Sequence, residues 1–333
     1  MKIFLSRLSA LFAALLCLTA TQAASKYDNP DTIVVARDGT GEFRTIDEAI
    51  EVCRAFMEYH KVIYVKKGTY KEKLIIPQWL TNIEILGEDR DQTIITYDDH
   101  ANIKTDERPK GIGTFRTYTI KVEGSKITFR NITIENNSAR LGQAVALHTE
   151  GDKLCFVNCR FLGHEDTIYT GTAGTRLYFK GCYIEGTTDF IFGPATAWFE
   201  QCEIRSRANS YVTAASTPQD QSYGYIFSHC RLTAEEGVSK VYLGRPWRDY
   251  GYTLFIYSEL GAHIRPEGWH HWQKNREQTA RYMEYGNTGA GADSKQRVAW
   301  SRQLTKKEAA SITLENVFTI KDCWNPEQTL AEK

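Results

Sequence analysis

LYFKGCYIEG, residues 177–186, and AWFEQCEIRS, residues 197–206, share one pattern: Phe at the third position, Cys at the sixth and Ile at the eighth. Four more segments align with them without gaps: ITFRNITIEN from Ile127, LCFVNCRFLG from Leu154, YIFSHCRLTA from Tyr225 and TLFIYSELGA from Thr253. The six units start 20 to 28 residues apart, the irregular spacing of a solenoid whose strands repeat while its loops vary. Apolar residues alternate within each unit, and the alternation slips by one residue between positions three and six. That slip reads as a corner between two short strands.

Position three is Phe in all six units, so coils stacked in register align Phe129, Phe156, Phe179, Phe199, Phe227 and Phe255 inside. Position six supplies Cys159, Cys182, Cys202 and Cys230, small fillers for a tight interior. Cys182 and Cys202 fall on consecutive coils about 4.8 Å apart, a separation that permits a disulfide without demanding one. The fold class expected is all-β: a right-handed parallel β-helix with capping helices. Exposed strand edges at a solenoid end need a cover. Thr45 and Glu48 form a capping box at the head of a helix that places Ile46, Ala49, Ile50, Cys53 and Met57 on one face, and Thr305 with Glu308 opens a second helix near the C-terminal end. VIYVKKGTY (62–70) and NIEILGE (82–88) suggest earlier coils.

Lys2 and Arg7 precede an apolar run over residues 8–18, and small residues follow up to Ala23 and Ala24, the layout of a secretory signal. The division expected is a signal peptide over residues 1–23 and a single β-helix catalytic domain over 24–333. The product is secreted or periplasmic and monomeric. With 42% apolar residues among 333, that domain can bury a large core. Lys plus Arg equals Asp plus Glu at 41 each, so neither nucleic acid nor an anionic membrane is expected as a partner. The cysteines lack the paired spacing of a zinc site, and neither a metal nor a cofactor is called for.

Thirteen positions into consecutive units lie Asp166 and Asp189, in GHEDTIYTG (163–171) and GTTDFIFG (186–193). Register stacking makes the two carboxyl groups neighbours, and each opposes ionisation of the other. One acid beside one carboxylate results, the pairing that a nucleophile and its acid/base partner require. A solvated turn or a calcium site is the alternative reading of the pair alone.

GTYKE (68–72), GQAVAL (142–147), GHEDTIY (163–169), DFIFG (189–193) and LGRPW (243–247), in that order, give the chain a resemblance to the pectin methylesterases, the pectinesterase family. The resemblance implies a right-handed parallel β-helix acting on methyl-esterified homogalacturonan. It implies that Asp189 attacks the ester carbonyl carbon, that Asp166 protonates the departing methanol and then activates water, and that Gln143 donates to the oxyanion. Arg245 would hold Asp189 ionised, and Trp247, Phe192 and Thr188 would line the sugar cleft. Tyr70 and Glu72 are read as structural, and His164 as a cleft wall rather than a base. One position departs from the family pattern: Glu165 stands where Gln is usual before the first catalytic Asp. Ionised, Glu165 repels an oxyanion; protonated, it replaces the amide donor; and alternation along a strand also allows it to face away from the cleft. A β-helix glycosidase or lyase on pectic polymers, and a catalytically weak carbohydrate-binding β-helix, are the competing readings.

Overall fold

The structure is a computed structural model, and it describes residues 25–319 and 321–331. The expected signal segment lies outside the described residues. Among the described residues, strands form three sheets of eleven, eight and seven members, and every ladder between them is parallel. The repeat explains this. Each unit contributes residues up to its fourth to the long sheet and its seventh onward to the eight-stranded sheet, as in Arg176–Lys180 and Tyr183–Gly186, before crossing to the seven-stranded sheet at Ile191–Gly193. The result is a parallel β-helix.

The corner has a specific backbone cause. Position five is left-handed in every unit, with φ between 50° and 53° at Asn131, Asn158, Gln201, His229 and Tyr257 and 60° at Gly181. A single left-handed residue turns the chain without a loop, and Asn and Gly tolerate it best. Position six then points inward. The thiols of Cys182, Cys202 and Cys230 donate to the carbonyl oxygens of Phe156, Phe179 and Phe199 on the preceding coil at 3.3, 3.6 and 3.3 Å, and the hydroxyl of Ser258 does the same to Phe227 at 3.2 Å. The disulfide that spacing permitted between Cys182 and Cys202 is absent; both cysteines are free and buried, each thiol occupied by a backbone acceptor.

The phenylalanine ladder is as the repeat requires. Phe156, Phe179, Phe199, Phe227 and Phe255 are paired in register, all fully buried, with successive ring centroids 4.4 to 4.6 Å apart and nearly parallel planes. Phe129 continues the stack at 5.4 Å.

At the N-terminal end the helix Ile46–Glu51 carries the complete Thr45/Glu48 capping box and sets Ile46, Ala49 and Ile50 into the main core. The Glu72 carboxylate accepts from the backbone N–H groups of Ile46 and Asp47, both at 3.0 Å, and the Tyr70 hydroxyl donates to the Lys66 carbonyl. Both residues are therefore structural. The second helix forms at Lys306–Ala310 with its own capping box, but it does not close the C-terminal end. Ala309, Val317, Phe318 and Trp324 pack on Cys155, Tyr178, Trp198 and Ile226, the outward side chains of the long sheet. An apolar outer face on several coils attracts cover along the side of the solenoid, which a repeat read only for its inward positions did not reveal. Arg176 locks this cover down, donating to Asp152, Asp322 and the Phe318 carbonyl.

Candidate active site

The two aspartates sit at the turns that lead into the seven-stranded sheet. Ile168 pairs with Ile191, so Asp166 and Asp189 lie in register on adjacent coils, and their backbone N–H groups donate to Thr188 and Tyr211 on the next coil at 3.1 and 2.9 Å. Both are left-handed, with φ of 69° and 48°. That conformation is uncommon for a residue with a side chain and aims both carboxyl groups out of the coil. They open into a cleft of about 290 Å³ shared with Gln143, Glu165, Phe192, Arg245 and Trp247.

Arg245 follows the strand Tyr242–Gly244 and reaches back to Asp189. Its Nε donates to Oδ1 at 3.0 Å and its Nη2 to Oδ2 at 2.6 Å, a two-pronged pair on a residue that is only 6% exposed. The guanidinium is sandwiched between Tyr211 and Trp272, each ring centroid 3.9 Å away. Burial raises the pKa of Asp189, and Arg245 opposes that rise. Asp166 has no such partner. Burial first, then the charges of Asp189 and Glu165, hold its carboxyl well above the usual range. The two carboxyl groups thus sit in unlike surroundings, one gripped by a guanidinium and the other buried without an ion pair of its own, an arrangement suited to attack on a carbonyl and protonation of a leaving group.

Glu165 does not face away from the cleft. It shares the wall with Asp166, because the left-handed turn breaks the strand alternation at that point, and its Oε1 accepts from the Gln143 amide at 2.8 Å. One Gln143 N–H is therefore engaged and the other is left for a ligand. Phe192 and Trp247 meet edge to face at 5.8 Å on the cleft wall. Thr188 is placed elsewhere: it lines an adjoining depression with His164, and its hydroxyl bonds that of Ser210 at 2.8 Å. Thr188 holds the turn position that Glu165 holds one coil earlier, but its side chain is shorter and lines only the depression, whereas Glu165 lines both the depression and the cleft. His164 is a wall of the same depression, and burial with nearby Arg207 and Arg140 depresses its pKa to about 4, leaving it neutral.

Sequence reasoning missed Tyr169, Tyr211, Phe115 and Trp272. Tyr169 pairs in register with Phe192, their rings 4.8 Å apart, so extending the repeat past the aspartates would have found it. Phe115 and Trp272 come from excursions outside the repeat and carry no periodic signal; Trp272 is itself left-handed at φ 61°. Among the described residues no group of three or more His, Cys, Asp or Glu is arranged to hold a metal ion.

Comparison with known proteins agrees with this geometry. A family model described as Pectinesterase matches residues 32–321. The chain is 36% identical over 281 residues to pectinesterase 31 of Arabidopsis thaliana, covering 83% of this chain and 88% of that protein. It spans about half the length of other curated relatives, such as a probable pectinesterase/pectinesterase inhibitor of Brassica napus, 34% identical with 90% of this chain and 52% of that protein covered. Among solved structures, pectin methylesterase from carrot superposes with a TM-score of 0.80 at 33% identity, over 88% of this chain and 94% of that one. A pectin methylesterase in complex with a hexasaccharide does so at 0.75 and 29%, over 88% and 98%. The parallel β-helix, the acidic cleft and these likenesses together establish that the chain belongs to the pectinesterase family of carboxylic ester hydrolases.

Proposed function

We propose that this chain hydrolyses galacturonate methyl esters of homogalacturonan in the acidic cleft, with Asp189 as nucleophile and Asp166 as general acid and then base. The observation that carries the assignment is the asymmetry of the pair: Asp189 is gripped by Arg245, while Asp166 is buried without an ion pair of its own. An Asp189 oxygen attacks the ester carbonyl carbon, and the second N–H of Gln143 meets the developing oxyanion. As the tetrahedral intermediate collapses, the bond to the methoxy oxygen breaks and Asp166 gives its proton to that oxygen, releasing methanol. An anhydride between Asp189 and the galacturonate remains. Asp166, now a carboxylate, takes a proton from water, and the resulting hydroxide attacks the galacturonate carbonyl carbon, freeing the sugar acid and Asp189. Arg245 keeps the nucleophile charged and aimed in a site that burial would otherwise protonate. Glu165 orients Gln143 through their hydrogen bond. Phe192 and Trp247 offer flat apolar faces to sugar C–H surfaces.

The protein works as a single-domain monomer outside the cytoplasm, secreted or periplasmic; the apolar run over residues 8–18 behind Lys2 and Arg7 supports export. Among the described residues no helix is long and apolar enough to cross a membrane. The decisive experiment is methanol release from methyl-esterified homogalacturonan by wild type and Asp189→Asn, with circular dichroism to show both folded. Wild type releases methanol and the variant does not. New reducing ends or unsaturated products without methanol would instead mark glycoside cleavage or a lyase, and silence would mark a binding protein.

A further inference from the structure

Two cavities meet at Glu165. One is the cleft that holds the aspartates; the other, about 200 Å³, is lined by Arg140, His164, Thr187 and Thr188 and has Glu165 as part of its wall. The charges around the joined space are unequal. Asp189 is paired with Arg245, and Asp166 is buried with its carboxyl pKa pushed well above the usual range, which disfavours its charged form. Arg140 is already engaged, its Nη2 donating to the Arg207 carbonyl at 3.3 Å and lying 3.9 Å from Glu235. Arg207 pairs with Glu185 at 3.0 Å and Glu235 at 3.7 Å. His164 adds no charge near neutral pH. Glu165 accepts one hydrogen bond from the uncharged amide of Gln143 and, among the described residues, has no cation paired with it. It is the uncompensated charge of the site.

A pectic chain presents a carboxyl group on every sugar, either as a neutral ester or as an anion. A chain whose ester sits over Asp189 and which continues through the joined space brings the carboxyl group of a neighbouring sugar near Glu165. We infer that Glu165 is a charge filter, making the cleft selective for esters flanked by esterified sugars and against esters flanked by free carboxylates. This rests on the ester-hydrolase reading above. In a partly dehydrated cleft, repulsion between two like charges 6–10 Å apart is worth roughly a three- to tenfold change in kcat/KM. Each turnover creates a free carboxylate, so the filter also turns the enzyme away from its own product stretches and toward fresh esterified blocks.

The test compares kcat/KM for methanol release on highly methyl-esterified homogalacturonan and on the same polymer de-esterified at random with base, at equal ester concentration. Wild type favours the first, and Glu165→Gln, which keeps the volume and the contact with Gln143, lowers that preference roughly three- to tenfold. Glu165→Asp retains it. Raising ionic strength from about 0.1 M to 1 M, which shortens the screening length from about 10 to 3 Å, narrows the wild-type preference with no variant needed. A preference that is unmoved by both Glu165→Gln and salt overturns the filter while leaving the esterase intact. Wild type that releases no methanol from either polymer overturns the esterase reading and the filter with it.

Discussion

Replacing Asp166 by Asn should make the protein more stable at neutral pH while disabling it. The buried carboxyl, with Asp189 and Glu165 nearby, has its folded pKa raised well above the ordinary value. A raised folded pKa means the folded state holds its proton longer than the unfolded chain. Relative stability is therefore complete below the unfolded pKa near 3.9 and is lost progressively as pH rises toward the folded pKa. Each unit of that interval costs about 1.4 kcal/mol, so a carboxyl that stays protonated to pH 7 destabilises the fold by about 4 kcal/mol at most. Asn has no charge to lose and escapes the penalty. Its advantage should be close to zero near pH 4 and grow to about 1–4 kcal/mol at pH 7, read as the difference between denaturant midpoints of the two proteins at each pH. Activity toward methyl esters falls severely at every pH, and least for esters of acidic alcohols, whose departure needs little protonation. A stability difference that is the same at pH 4 and pH 7 would refute the desolvated-acid assignment, whatever happened to activity.

Two further outcomes follow from the packing. Phe179→Ala removes one ring from the stack between Phe156 and Phe199 and should cost about 3–5 kcal/mol, seen as a lowered thermal midpoint; an unchanged midpoint would contradict the buried ladder. Trp272→Ala uncovers one face of Arg245, a contact worth about 0.5–2 kcal/mol, so kcat should fall roughly 2- to 30-fold and Trp272→Phe should restore most of it; equal kcat in all three proteins would show that the sandwich does not position the arginine.

Position-by-position recurrence made the solenoid legible because each coil repeats the same inward contacts, so one alignment predicts many. The same offset brought Asp166 beside Asp189 and would have brought Tyr169 beside Phe192. The motifs around those positions made the family legible as well. Recurrence is silent about whatever leaves the coil. Trp272, which stacks on Arg245, belongs to a loop with no counterpart in other units, and Thr188, expected to line the sugar cleft, lines the adjoining depression instead.

By itself, then, the sequence determined the stacked coils, the Phe and Cys ladders, the N-terminal cap and the pairing of two carboxyl groups, since all of these follow from side-chain periodicity and local backbone preference. Only the tertiary structure sets the unlike surroundings of the two carboxyl groups, because these depend on burial and on Arg245 arriving from 56 residues away. It also decided that the C-terminal helices lie along the long sheet rather than over its end. The facing of Glu165 was settled the same way: the left-handed turn at Asp166 overrides strand alternation and leaves Glu165 on the cleft wall beside Gln143. Periodicity reports only contacts that repeat, whereas charge and solvent access at one point depend on every segment that happens to reach it.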